Sequence, residues 1–281
     1  MTTPTKHIDA GRDEPGEVDA RLSGADGLGH DWLRPDWPVA PRVQAFVTTR
    51  AGGTSGGVYG ADVSGAEASA GGLNLGDHVG DDPLAVARNR SRLPVAPAWL
   101  SQVHGIAVVR AETIAAGCVP VADAAYTTQA GVACAVLTAD CLPILVADRA
   151  GRVVGAAHAG WRGLHAGVSA QLVQAMRAAM PDAELVAWLG PCIGPRAFEV
   201  GPEVRDAFMT RWPQAGAAFT AGIGDRWLAD LPRLARMALA ELGIDEVGGG
   251  QWCTVEDPAR FYSYRRDGVT GRFASVIWIN P

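Results

Sequence analysis

Between Val132 and Trp161 three apolar runs follow one another with only short breaks, and no other stretch restricts the fold so tightly. Each has the length of a buried strand. The first, Val132–Thr138, ends in Ala139-Asp140-Cys141. The second, Leu142–Ala147, turns over at Asp148-Arg149-Ala150-Gly151. The third, Val153–Ala157, delivers His158 and then Ala159-Gly160-Trp161-Arg162-Gly163. A core strand has no use for Asp, Cys and His at its ends, so these side chains are expected at a rim. The small residues Ala159, Gly160 and Gly163 leave space beside them for a ligand.

Composition narrows the class. The chain has 281 residues, 48% apolar and 19% charged, which is enough apolar mass for a substantial core. No apolar run approaches the ~18–20 residues a membrane helix needs. A net charge of −6 without a basic cluster argues against a nucleic-acid partner. The N-terminus lacks the basic-then-apolar start of a secretory signal. Five scattered cysteines (Cys118, Cys134, Cys141, Cys192 and Cys253) read as reduced thiols rather than a disulfide frame, and no CxxC pair offers a zinc ribbon. A cytoplasmic protein, monomer or homodimer, with no membrane partner is expected.

In chain order, residues 1–31 are poor in apolar groups and read as a disordered leader. Val43–Thr49 reads as a strand closing in Thr48-Thr49-Arg50, and Ala61–Gly72 as a mobile insertion. Asp82–Leu93 suits a short helix. Trp99–Val103 and Ile106–Ala111 read as strands around His104-Gly105. Leu164, Val168, Leu172, Val173, Met176 and Met180 recur at three- and four-residue steps, which predicts one amphipathic helix. Leu185–Leu189 is a further buried strand. Pro202 opens a helix to about Trp212, and Asp230 caps one from Leu231 that Gly243 ends. Trp252–Val255, Phe261–Arg265 and Phe273–Ile279 read as final strands, the last two joined by an Asp267-Gly268 hairpin. No 20–50-residue period repeats, and no GxGxxG or GxxxxGK[ST] loop occurs. The fold class is α+β (mixed α/β): a single compact catalytic domain over residues 32–281, with a mixed β-sheet core flanked by helices in layers.

His104, Cys141 and His158 each fall at a strand end beside small residues. Two imidazoles and a thiolate suit Zn²⁺ and leave its fourth position to water. Their spacing is long, so a buried structural cysteine with two unrelated histidines stays an open alternative. Arg50, between a strand and a glycine-rich turn, could bind phosphate bidentately or simply be a solvated strand-end arginine. Asp123 and Asp140 could orient a histidine or substrate, or cap turns. Cys192 reads as packing, Cys118, Cys134 and Cys253 as inert, and His7, His30 and His165 as solvated. His78, near Asn74, is an outside candidate.

At these residues the sequence resembles a known family. TTRAGG (Thr48–Gly53), NLGDHVGDD (Asn74–Asp82), SQVHG (Ser101–Gly105), ADAAYT, TADCLPIL (Thr138–Leu145), AAHAGWRG (Ala156–Gly163), LGPCIGPRAFEVG (Leu189–Gly201) and SYRRDGVTGR (Ser263–Arg272) follow its order. It is the laccase-domain family, variously labelled multicopper polyphenol oxidase, purine nucleoside phosphorylase and peptidoglycan-editing factor. The resemblance covers roughly Val43 to the C-terminus. It implies that His104, Cys141 and His158 are metal ligands, usually for zinc, and that Arg50 is an arginine near the active site.

The residues arbitrate among those labels. Multicopper oxidation needs several centres built from many histidines, and this chain has six with no His-x-His pair. A blue-copper site would also want an axial methionine near its Cys and His ligands, so copper is disfavoured. The His-x-Glu and Pro-Cys-x-x-Cys pattern of zinc nucleobase deaminases is absent as well. The resemblance implies phosphorolysis of purine nucleosides (adenosine, inosine, guanosine and methylthioadenosine), with hydrolytic deamination of adenosine beside it. Arg50 would fix phosphate, Asn74, Tyr126, Trp161 and Tyr262 would hold the nucleoside, and Asp140 or Asp123 would handle protons. Two alternatives stay open: a Cys/His hydrolase acting on an amide or a peptidoglycan precursor, and a non-catalytic binding protein.

Overall fold

The three apolar runs become three strands, divided between two sheets. β7 (Ala133–Thr138) belongs to a four-stranded sheet, where it lies between β15 (Phe273–Ile279) and the short β4 (Pro97–Ala98), with β1 (Val43–Val47) outside β15. β8 (Leu142–Asp148) and β9 (Val154–Ala159) are central in a six-stranded sheet. Its order is β14 (Val247–Gly249), β10 (Leu185–Leu189), β8, β9, β6 (Ala124–Thr127) and β5 (Val108–Arg110). The computed structural model describes residues 31–61 and 71–281. The expected leader, Asp31 apart, lies outside the described residues, as do His7, His30 and most of the Ala61–Gly72 insertion. The insertion's last two residues, Gly71–Gly72, form β3 and pair with β2 (Ala51–Gly53).

The two large sheets pack face to face, with β7 and β15 lying over β8 and β9. Alternation along β8 explains why its sequence is apolar throughout. Leu145 and Ala147 face the inter-sheet core with Val136, Trp188, Phe273 and Ile277. Leu142, Ile144 and Val146 face the opposite layer, where α3 (Val168–Ala179) and α5 (Leu231–Ala240) bring Leu172, Met176, Leu234 and Leu239. A strand buried on both faces has no position for a polar side chain until it ends. The remaining helices are α1 (Pro83–Arg90), α2 (Trp161–Ala166), α4 (Pro202–Arg211) and α6 (Tyr264–Asp267). A small sheet of β11 (Glu199–Val200), β13 (Trp227–Ala229) and β12 (Phe219–Ala221) completes the α+β domain. Among the described residues no helix is long and apolar enough to cross a membrane.

Several boundaries differ from expectation for local reasons. The single helix expected through Leu164 and Met180 is two, because Gly167 takes a left-handed φ of 101° and breaks the ladder between α2 and α3. Trp252–Val255 makes only one isolated bridge, Cys192 to Cys253. Phe261–Arg265 is not a strand. Ser263 Oγ accepts from the Arg266 amide and caps α6, and Asp267-Gly268 ends that helix instead of turning a hairpin. Trp99–Val103 reduces to β4 just before it and a bridge from Ser101 to Val121. The cap expected at Asp230 forms, and Asp82 caps α1 as well, each carboxylate accepting a first-turn amide.

Leu145 has no exposed surface and sits between the sheets. Leu145→Ala should therefore cost about 2–5 kcal/mol of unfolding free energy. Urea denaturation followed by tryptophan fluorescence measures it, and a loss under 1 kcal/mol would show that the sheets close over the gap.

Candidate metal centre

Strand direction brings distant residues to one rim. β9 runs antiparallel to both β8 and β6, with Pro143 opposite His158 and Ala124 opposite Ala157. The starts of β8 and β6 thus lie beside the end of β9. β5 joins them because it runs parallel to β6, Val108 opposite Ala124. Cys141 precedes β8, Asp123 precedes β6, and the His104 turn leads into β5. The other sheet reaches the same rim, since Phe273 at the start of β15 pairs Thr138 at the end of β7.

There the expected ligands converge. One donor atom each from His104, Cys141 and His158 lies within 4.8 Å of the others, the one metal-capable group among the described residues. Cys141 Sγ is 3.7 Å from His104 Nε2, and the two imidazoles meet edge to face at 4.7 Å between ring centres. His158 is buried, Cys141 partly exposed and His104 exposed, so the group forms the floor of an open cleft. Gly160 has to be small here, because a Cβ on it would stand 2.9 Å from Cys141 Sγ and 3.1 Å from His104 Cδ2.

Two carboxylates hold this geometry. Asp123, without exposed surface, accepts His158 Nδ1 at 2.8 Å together with the amides of Val103, His104 and Gly105 at 3.2, 2.9 and 2.7 Å. That bond leaves His158 Nε2 to face the cluster and fixes the ring, the role a carboxylate plays behind metal-binding imidazoles. Asp140 accepts Thr254 Oγ1 and the Arg265 amide, each at 2.6 Å. Its own carbonyl takes the Ile193 amide at 2.9 Å. His104 and Asp140 are the described non-glycine residues with positive φ, at 61° and 92°. Backbone strain of about 1–3 kcal/mol per residue is thus concentrated beside the ligands, and these hydrogen bonds sustain it.

Burial disfavours a charged Cys141, yet hydrogen bonds from His104 and His158 outweigh it and bring the thiol down to about 6. Burial likewise works against a charged His158, and the Asp123 and Cys141 hydrogen bonds raise it to about 9. Asp123 stays below the usual carboxylate range, its own burial overcome by His158 and the loop amides. The arrangement favours thiolate sulfur, which is the form that ligates metal. Soft sulfur with two imidazole nitrogens, each backed or oriented by the fold, fits Zn²⁺.

The cluster opens into a cavity of about 420 Å³, large enough for a small organic ligand. Leu100, Leu137, Ile193 and Phe198 supply its apolar wall, and Gln102, His78, Tyr264, Arg265 and Arg272 its polar one. Asp140 also lines it, with both carboxylate oxygens already engaged. The residues expected to hold substrate lie elsewhere. Arg50 is buried, its Nε donating to Gly60 O at 2.7 Å and Nη1 standing 3.8 Å from Asp267, with the guanidinium over the Tyr262 ring. Tyr262 is fully buried and donates to Tyr59 O at 2.6 Å, so it presents no face for base stacking. Tyr126 and Trp161 pack against the helical layer. Asn74 is fully buried, its carboxamide satisfied by Gly76, Asp81 and the Arg272 amide. His165 is half-buried rather than free in solvent: it bonds Ala207 O and packs on Phe208. Sequence reasoning passed over Gln102, Phe198, Tyr264, Arg265 and Arg272, although all five sit inside motifs it had singled out.

Residues 44–280 match the family model described as multi-copper polyphenol oxidoreductase laccase. The chain belongs to this family. It is 51% identical over 253 residues to a purine nucleoside phosphorylase of Pseudomonas aeruginosa, covering 88% of this chain and 98% of the relative. It is 48% identical to the Escherichia coli purine nucleoside phosphorylase YfiH, over 87% and 97% of the two chains. The crystal structure of Neisseria meningitidis protein NMB0706 superposes with a TM-score of 0.81 at 48% identity, covering 89% of this chain and 99% of that one. YlmD from Geobacillus stearothermophilus gives 0.79 at 30% identity, over 89% and 96%.

Gly160→Ala tests the crowding at the cluster. The extra methyl displaces Cys141 Sγ, a mobile side-chain end, while the fold persists. Zinc affinity, measured by competition with a chromophoric chelator, should fall at least about tenfold, since ligand sites tolerate only ~0.5 Å of misplacement. Unchanged affinity would mean the sulfur is not a ligand.

Proposed function

We propose that this protein is a zinc-dependent purine nucleoside phosphorylase, converting adenosine, inosine, guanosine and methylthioadenosine to free base and ribose-1-phosphate, with deamination of adenosine as a companion activity. The observation that carries the reading is the His104–Cys141–His158 group on the floor of a nucleoside-sized cavity. The names of the relatives from Pseudomonas aeruginosa and Escherichia coli support the same reading.

In phosphorolysis a phosphate oxygen bonds to the ribose anomeric carbon as the bond from that carbon to purine nitrogen breaks. The electron pair leaves with the purine, which takes up a proton. Much of the barrier is orientational, so the wall matters more than any single group. Phe198 and Tyr264 offer aromatic surface for the base, Leu100, Leu137 and Ile193 exclude water, and the arginines supply positive charge for phosphate. Asp123 acts by fixing His158, and Asp140 by holding the Cys141 turn; both are positioning residues. His104, Cys141 and His158 would hold the zinc, which when bound supplies Lewis acidity.

The polyphenol-oxidase label does not suit the donors. One three-residue group is present among the described residues, where that chemistry needs several centres, and no methionine lines the cavity. A second reading has a specific observation behind it. Asp123, His158 and Cys141 also have the order of a carboxylate–imidazole–thiolate relay, as a Cys/His hydrolase of amides or peptidoglycan precursors would use.

Purified protein should release ribose-1-phosphate and hypoxanthine from inosine and phosphate, and Cys141→Ala should abolish this. Full phosphorolysis by the variant would remove Cys141 from the chemistry. Iodoacetamide separates the two readings. With the thiol near 6, chelator-treated protein should be alkylated at Cys141 within minutes at pH 7, and added zinc should protect it. Equal alkylation with and without zinc would favour the hydrolase.

A further inference from the structure

We propose that the phosphate subsite is Arg272, seated by Asn74 and assisted by Arg265, and that Arg50 is not part of it. This rests on the phosphorolysis reading and names the residues that serve its second substrate.

The four arginines near the rim have different surroundings. Arg50 is buried among Gly60 O, Val58 O and Asp267. Arg266 pairs with Asp267 and donates to Thr254 O and Phe261 O. Neither lines the cavity. Arg265 and Arg272 do, and among the described residues neither has a carboxylate within ion-pair distance. Arg265 is exposed and donates Nη1 to Glu199 O at 3.0 Å. Arg272 is half-buried; Cys141 and Asp140 act on it electrostatically, but no carboxylate contacts it among the described residues, which leaves its guanidinium room for an anionic ligand.

Arg272 is also pre-set. Its amide donates to Asn74 Oδ1 at 2.8 Å, and its Cγ lies over Gly76, where an added Cβ would come within 2.8 Å. Nη1 donates to the carbonyls of Thr270 and Gly271 at 3.1 and 3.0 Å. Nε and Nη2 make no hydrogen bond to protein among the described residues. That leaves one edge of a guanidinium fixed by the backbone and the other edge, a two-donor fork, for a phosphate. Asn74, expected to touch substrate, instead acts through Arg272 as a positioning residue.

The test compares wild type, Arg272→Gln, Arg272→Lys and Arg50→Lys. Losing a charge-assisted hydrogen-bond pair should raise KM for phosphate about ten- to a hundredfold in Arg272→Gln, with KM for inosine changed less than about threefold. Arg272→Lys should recover part of the loss, and Arg50→Lys, if folded, should keep a wild-type KM for phosphate. A second readout needs no turnover: inorganic phosphate from 1 to about 50 mM should raise the Tm of wild type saturably, and this rise should vanish in Arg272→Gln. A wild-type KM for phosphate in Arg272→Gln, or an undiminished Tm rise, overturns the assignment. If wild type does not turn over inosine yet shows a phosphate-dependent Tm rise that Arg272→Gln loses, the phosphorylase reading fails and the anion site stands.

Discussion

Four hydrogen bonds converge on one buried carboxylate, and the site stands on them. Asp123 gathers the amides of Val103, His104 and Gly105 and the imidazole of His158. It thereby sets a strained turn and a ring orientation together, from a position fixed by sheet pairing: its amide and carbonyl bond to Ala107 and His158. A buried carboxylate left without these donors would be strongly destabilising, so loop, ring and strand end stand or fall together.

Asp140 does the corresponding work where the chain crosses between sheets. β7 ends in one sheet and β8 begins in the other, and only Ala139, Asp140 and Cys141 lie between them. So tight a crossing forces a left-handed residue, and Asp140 tolerates it because its side chain is anchored to Thr254 and Arg265. The rigidity comes from the neighbours: both strands are buried on all sides, and the corner between them has little freedom to relax.

Much of this was legible in the sequence. The two-sided burial of β8 shows as an unbroken apolar run, and polar residues stopping such runs marked the rim, which is how Cys141 and His158 could be named. The helix cap at Asp230 is a local signal and came through. What local signals cannot carry is partnership at long range. Arg50 looks available until Asp267, more than two hundred residues on, closes over it. Tyr262 looks like a stacking residue until its hydroxyl is found bonded to Tyr59 O. Conversely, Arg272 follows a glycine-rich turn without periodicity to flag it, and only the pairing of Phe273 with Thr138 puts it on the rim.

The division of the ligands among strand ends has a consequence for how the protein matures. His104 precedes β5, Cys141 lies at the inter-sheet crossing, and His158 is near the close of β9. A grip on a cation therefore exists only after those strands have registered against one another. An ion held there would not seed folding as it does in a zinc finger, where the ligands sit on one short hairpin and helix. It would load last, onto a scaffold already built, and act as a late clasp.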